Sequence, residues 1–221
     1  MVSPNDPAYP NLPATSWAVL GMLTHSEPLT GYDAKKWADW SIGFFYWSPS
    51  ISQVYAELKK LESLGLAESR VVTQAGERDR REYAITELGT RAARDWSREA
   101  PVEAPVLKHG VMLRLWMGHL NKPEELKAIV RAHIENIEGQ RAQAALRAEH
   151  SRAEPGWAFP TMSLTWATRY FDAELDLARA LLDDIDEAAR QLATVKHKDG
   201  LGNPVPIEPG RWRAIEDFLE D

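Results

Sequence analysis

Cysteine is absent from the 221 residues, which removes disulfides, thiolate metal sites and a cysteine nucleophile from the chemistry open to this chain. Also missing is any uninterrupted apolar run near the ~18 residues of a membrane span. The opening Val2-Ser3-Pro4-Asn5-Asp6 lacks the basic start and apolar stretch of a signal peptide. A cytoplasmic address with no membrane partner is expected. Positive charge is in short supply, with 26 Lys+Arg against 33 Asp+Glu and a net charge of -7. That balance argues against a protein that coats nucleic acid indiscriminately, because sequence-independent binding depends on neutralising phosphates. A local basic surface remains open, since residues 1–100 hold 11 basic against 13 acidic side chains and the acidic excess lies mainly beyond them. Catalytic patterns are lacking too. The six histidines, at 25, 109, 119, 133, 150 and 197, include no pair at i,i+3 or i,i+4, and there is no H-E-x-x-H, G-x-S-x-G, P-loop or dinucleotide fingerprint. A non-enzyme without cofactor or metal is the expectation.

What is present suits a folded chain, with 44% apolar and 27% charged residues. Residues 1–13 carry four prolines and read as a flexible arm. Trp17, Leu20 and Leu23 then fall at helical spacing until Pro28. Thr30 is a natural N-cap for a second helix ending before Gly43, and Ser48-Pro49-Ser50 opens a third, with Pro49 at its first position and Ile51, Val54, Leu58 and Leu61 striping one face until Gly65. Two β-favouring runs, 67–72 and 80–86, flank a polar glycine-bearing turn, and Thr86 opens a fourth helix to about Glu99. Three helices, a hairpin and a helix give the order of a winged helix-turn-helix over 14–100.

The two prolines of 101–105 mark a boundary, and the rest reads as helical. One helix is expected over 105–119, one from Pro123 to about Arg147, and a long one from Thr161 to Leu192. The fold class is therefore mostly α with a small β-hairpin wing: a winged helix-turn-helix, a helical dimerisation and effector domain over 105–195, and a 196–221 tail ending in a short amphipathic helix with Trp212, Ile215, Phe218 and Leu219. On the long helix Leu164, Phe171, Leu175, Ala178, Leu182, Ile185, Ala189 and Leu192 make a sustained heptad seam. It is either core for its own subunit or an interface with a second copy, and a homodimer held by this seam is the expectation.

Thr30-Gly31-Tyr32-Asp33, the run Ser50 to Leu66 ending in L-x-x-L-x-x-x-G-L, and Tyr83-Ala84-Ile85-Thr86-Glu87-Leu88-Gly89 together resemble the PadR family. Pro105-Val106-Leu107, Leu113 to Gly118 and Pro123-Glu124-Glu125-Leu126 resemble its longer members with a virulence-activator-type C-terminal domain. The resemblance spans roughly 14–192. It implies a DNA-binding transcriptional regulator, dimeric through its terminal helix and in some members responsive to flat aromatic effectors, with repression the expected mode.

The residues themselves are compatible with that. Ser50, Ser52 and Gln53 are small polar groups at the start of the expected recognition helix, where they either cap it or reach base edges and phosphates, Gln53 being able to pair bidentately with adenine. Tyr32, Lys35, Tyr55 and Lys59 join them as candidates for the same surface, Tyr55 packing with its hydroxyl at the DNA side and Lys59 open to a plain solvated role. Arg78, Arg80 and Arg81 sit by the hairpin tip, either interrupted by Asp79 and Glu82 into an ordinary charged hairpin or placed against phosphates or a minor groove. Nine tryptophans leave room for an aromatic-lined effector pocket beside the simpler reading as core, with Trp96 and Trp116 the nominated contacts. The alternative to DNA is a helical interaction module whose winged surface binds protein.

Overall fold

The computed structural model describes residues 9–25, 27–73, 79–205, 207–208 and 210. Arg78 and the expected amphipathic end of the tail lie outside the described residues, as do residues 1–8 of the arm. The described chain forms helices α1 (Ala14–Met22), α2 (Gly31–Trp40), α3 (Ile51–Ser63), α4 (Glu87–Glu99), α5 (Gly110–Trp116), α6 (Pro123–Ser151) and α7 (Ala158–Ala193), with strands β1 (Leu29–Thr30), β2 (Ala67–Val72) and β3 (Arg80–Ile85). The expected mostly helical class with a small antiparallel wing is what the structure has.

Two compact units emerge, and they are not a simple front and back half. The first comprises residues up to Pro105 together with Gln143–Thr168; the second comprises Val106–Ala142 and Arg169 onward. In the first unit the apolar positions of α1 and α3 close over the sheet. Val19, Leu20, Val54, Leu58 and Leu61 are fully buried, with Leu29, Leu66, Tyr83 and Ala92 in the same cluster. Burial of each leucine or valine contributes about 1.5 to 3 kcal/mol, so α3 is anchored by its inner face alone. Ile51 departs from the expected stripe and is exposed at the first turn.

The helix ends follow from side-chain chemistry. Ser50 is extended (φ -63°, ψ 157°) and caps α3, which puts Pro49 just outside the helix instead of at its first position. At the other end Gly65 takes φ 70°, a conformation that β-carbon-bearing residues avoid. The hairpin register pairs Ala67 with Ile85 and Val72 with Arg80. Two residues add a third strand that the sequence does not announce: Leu29 pairs with Tyr83 and Thr30 with Glu82, giving the order β1-β3-β2.

Within the second unit, α6 and α7 run antiparallel, bridged by Lys127 to Asp186 at 2.6 Å, Arg179 to Glu138 at 3.2 Å and Arg141 to Asp172 at 2.5 Å. Leu126 and Val130 of α6 pack with Ile185 of α7. α5 is shorter than expected because the His109 side chain caps it and leaves 105–109 outside the helix. α7 begins at Ala158, earlier than expected, since Pro160 falls in the first turn where its missing N–H has no helical acceptor to lose. α6 runs on to Ser151, past the expected Arg147.

These helices correct the expected seam. Leu164, Phe171, Leu175, Ala178 and Ile185 are already buried within one chain, Leu182 is half-buried and only Leu192 is exposed. At 100° per residue Phe159, Met162, Trp166, Tyr170 and Leu177 lie on the other side of α7, and all five are exposed. The heptad is thus the packing face of the chain's own helices.

Candidate nucleic-acid interface

The candidate surface is built from the start of α2, the outer face of α3 and the β2–β3 wing, all in the first unit. Thr30 caps α2 by accepting from the Asp33 N–H at 3.1 Å while the Thr30 N–H donates to the Asp33 carboxylate at 3.1 Å. α3 opens the same way. The Ser50 hydroxyl accepts from the Gln53 N–H at 3.2 Å, and the Ser50 N–H donates to Gln53 Oε1 at 2.8 Å. Such a reciprocal box satisfies two amide donors that the helix geometry strands.

Exposure and partners sort the nominated residues. Ser52, Tyr55 and Lys59 sit at i, i+3 and i+7 on the outer side of α3, and all three are exposed, as is Tyr32 at 61%. The Tyr55 ring lies across the start of α2, so close that a β-carbon on Gly31 would fall 2.4 Å from Tyr55 Cε1. That contact explains why glycine precedes Tyr32, and it puts the packed ring of Tyr55 at the surface. Lys36 stands over the Tyr32 ring at 5.4 Å from its centroid.

Three of the nominated side chains already have partners within the chain. Gln53 is exposed, but its carbonyl is held by the Ser50 amide, so the two-point pairing with adenine is unavailable while the cap stands. Ser50 is likewise a capping residue in this structure. Lys35 donates to the Asp39 carboxylate and, at 3.1 Å, to the Ser48 hydroxyl, so its charge is answered within α2. The Lys35 ammonium, helped by the Ser48 hydroxyl, in turn holds the Asp39 carboxyl below its usual pKa.

On the wing, Glu82 is 8% exposed and clasped by Arg80 at 3.0 Å and Arg70 at 3.2 Å. Arg81 donates to the Ser69 hydroxyl at 3.1 Å, and Ser69 donates to Glu62 of α3 at 2.5 Å, which ties the wing to the recognition helix. Both nominated arginines are about half-exposed at the side chain, at 48% and 53%. The Arg81 pair with Glu62 is exposed and worth about 0 to 1 kcal/mol, while Arg80 shares the buried Glu82 with Arg70, so either guanidinium can change partners without leaving that carboxylate unpaired.

The nominated tryptophans belong to different places. Trp96 stacks on Trp17 with centroids 4.9 Å apart and an interplanar angle of 9°, and both line a cavity of about 650 Å³ in the first unit with Trp37, His25, Ile42 and Phe45. Burial lowers the His25 pKa, which favours the neutral ring. Trp116 lines a separate cavity of about 830 Å³ in the second unit, with Leu126, Leu181 and Ile185.

A constellation invisible in the sequence lies in that second unit. His109 Nε2 and His133 Nε2 each lie 2.8 Å from Glu174 Oε1. Burial disfavours the Glu174 carboxylate, but the hydrogen bonds from both imidazoles outweigh it and hold the pKa below the ordinary value. The three are 24 and 41 residues apart along the chain, and no local spacing rule reaches that far; only the pairing of the helices brings them together.

A second helix crossing onto a third, followed by a two-stranded wing, defines the winged helix-turn-helix class. Residues 19–95 match the model of the transcriptional regulator PadR-like family, so the chain carries a domain of that family. The negative transcriptional regulator PadR of Bacillus subtilis is 31% identical over 109 residues, a match covering 49% of this chain and 59% of the relative's length. Among solved structures, Bacillus subtilis PadR in complex with operator DNA superposes with a TM-score of 0.68 at 23% identity, over 78% of this chain and 99% of that one. The same regulator in complex with p-coumaric acid gives a TM-score of 0.62 at 21% identity, over 80% and 99%. These two likenesses show the fold. No helix among the described residues is long and apolar enough to cross a membrane.

Proposed function

We propose that this protein is a sequence-specific, duplex-DNA-binding transcriptional repressor, acting in the cytoplasm as a homodimer and without enzymatic activity of its own. The carrying observation is the outer face of α3: Ser52, Tyr55 and Lys59 project from a helix whose inner face is fully anchored, beside an exposed Tyr32 and the half-exposed Arg80 and Arg81 of the wing. Ser52 and the free amide nitrogen of Gln53 supply polar contacts to bases, and Ser50 and Lys35 support the surface from behind. The wing arginines Arg80 and Arg81, with Arg78 close to them in sequence, engage phosphates. The C-terminal half is of the virulence-activator type, on the strength of its Leu113 to Gly118 and Pro123 to Leu126 segments.

Two copies join through the open side of α7, where Phe159, Met162 and Leu177 are exposed, and not through the buried seam. Dimeric helix-turn-helix proteins set their recognition helices about one helical turn, ~34 Å, apart, so a roughly palindromic operator is expected. A small aromatic effector binds the cavity at Trp96. Among the described residues that cavity has no lysine or arginine in its lining, which favours neutral or phenolic flat molecules over those that depend on an ion pair. Trp116 is left to the other cavity and has no part in this one.

Selection of bound fragments from a random duplex pool tests the reading. Enrichment of a palindromic site, with affinity falling steeply as salt rises, is expected. Failure to enrich any duplex, with a protein partner captured on the α3 face instead, would establish the interaction-module alternative.

A further inference from the structure

We propose that His109, His133 and Glu174 form a binding site for one divalent transition-metal ion of the zinc class. The three side chains come from three helices: His109 caps α5, His133 lies in the middle of α6 and Glu174 in the middle of α7. Their donor atoms all lie within 4.8 Å of one another, and the imidazole rings are 5.1 Å apart. Side-chain exposures of 15%, 14% and 12% leave the trio mostly sheltered yet reachable from water.

The donor set decides the class of ion. Two imidazole nitrogens with one carboxylate oxygen suit zinc, cobalt or nickel, whereas magnesium and calcium take oxygen donors. Around a tetrahedral zinc with bonds near 2.0 to 2.1 Å, neighbouring donors stand about 3.3 Å apart. Each Nε2 to Oε1 separation is now 2.8 Å, about half an ångström short of that spacing, so the carboxylate must retreat for an ion to enter. Three protein ligands leave a fourth position for water or a small exogenous ligand.

One detail of the site makes the assignment specific. His109 Nδ1 accepts from the Met112 N–H at 3.2 Å, which puts the ring hydrogen on Nε2, where it is donated to Glu174. Ligation through Nε2 requires the hydrogen on Nδ1 instead, and this ends the capping bond. Metal loading therefore joins α5, α6 and α7 through the ion while freeing the Met112 amide.

The test is calorimetric titration of the untagged full-length protein with zinc chloride, together with visible absorption on cobalt(II) loading and magnesium as the control ion. One zinc per chain is expected, with tetrahedral-type cobalt bands and no response to magnesium. Glu174→Gln, which keeps the shape of the side chain, and His133→Ala should each weaken binding at least tenfold, while His150→Ala leaves it unchanged. Amide exchange at Met112 should quicken on loading. No binding by the parent protein, or equal binding by the two ligand variants, would overturn the site; unchanged exchange at Met112 would overturn His109 Nε2 as a ligand. None of these readouts involves DNA, so the outcome is independent of the operator experiment.

Discussion

The two compact units differ in what they leave at the surface. Around the recognition helix the exposed large side chains include Tyr32, Tyr46, Trp47 and Tyr55, each with a polar atom at its tip or edge, together with Phe45, Ile51 and Leu64, which have none. In the second unit they include Leu113, Leu120 and Leu177, which have none. Amphipathic aromatics can face a hydrated, charged partner, while exposed leucines are relieved only by another apolar surface. The tyrosines around α3 suit a polar ligand such as duplex DNA, whereas the leucines of the second unit, with Phe159 and Met162 of the first, suit a further copy of the chain.

The sharpest way to break that contrast is to put a charge on each side of α7. Leu175 is 4% exposed, and Leu175→Glu would bury a carboxylate with no partner, costing on the order of 4 kcal/mol. Leu177 is 66% exposed, so Leu177→Glu should alter the stability of a single chain by no more than ~0.5 kcal/mol while turning dimers into monomers. Urea midpoints and sedimentation on the two variants check this. A Leu175→Glu protein that folds normally but is monomeric would return the interface to the buried seam.

Next in size is the close approach of α4 to the start of the wing. A β-carbon on Gly89 would fall 2.0 Å from the Leu66 carbonyl oxygen, a backbone atom that cannot swing aside. Gly89→Ala should cost about 3 kcal/mol, at the upper end for overpacking, and should show as a lower urea midpoint. An unchanged midpoint would mean that α4 sits further from the sheet.

The sequence made the first unit legible because its signals are local. Thr30, Ser50 and Thr86 each cap the helix they precede, accepting from the N–H three residues on, and Gly65 closes α3 by its positive φ. β1 escaped because two residues carry no periodicity. The site was legible by residue but not by role. A serine and a glutamine three residues apart at a helix start suit both a base reader and a capping box, and only coordinates show the carbonyl already engaged. The seam was read correctly as apolar, but a heptad does not state whether its partner is the same chain. His109, His133 and Glu174 had no signal at all, since the helices that gather them are far apart in sequence.

A smaller effect separates capping from reading. Ser50→Ala removes the acceptor for the Gln53 amide and should cost about 1 kcal/mol. Gln53→Ala should also destabilise, because it strands the Ser50 N–H. If Gln53→Ala leaves the urea midpoint unaltered but relaxes discrimination among operators, the side chain is a reader in the complex and the box is broken on binding.

The smallest expected change in stability falls on the wing, where the change in DNA affinity should be plainest. Arg80 holds Glu82 from one side at 3.0 Å, but Arg70 holds the same carboxylate from the other at 3.2 Å. Removing one cation leaves the buried Glu82 paired with Arg70, so Arg80→Ala should cost only about 0.5 kcal/mol of stability, since no buried charge is left without a partner. Binding responds differently, because a guanidinium on a phosphate releases condensed counterions. Losing one such contact should reduce the slope of log affinity against log salt by about 0.9 for a duplex, and by twice that in a dimer with two wings. The loss should be similar on the best and the worst operator, since phosphates carry no sequence information. Anisotropy titrations at four salt concentrations, on one selected and one scrambled duplex, measure both quantities. An unchanged slope would leave Arg80 as a structural partner of Glu82 alone, and a loss confined to the selected duplex would make it a reader of bases or groove shape.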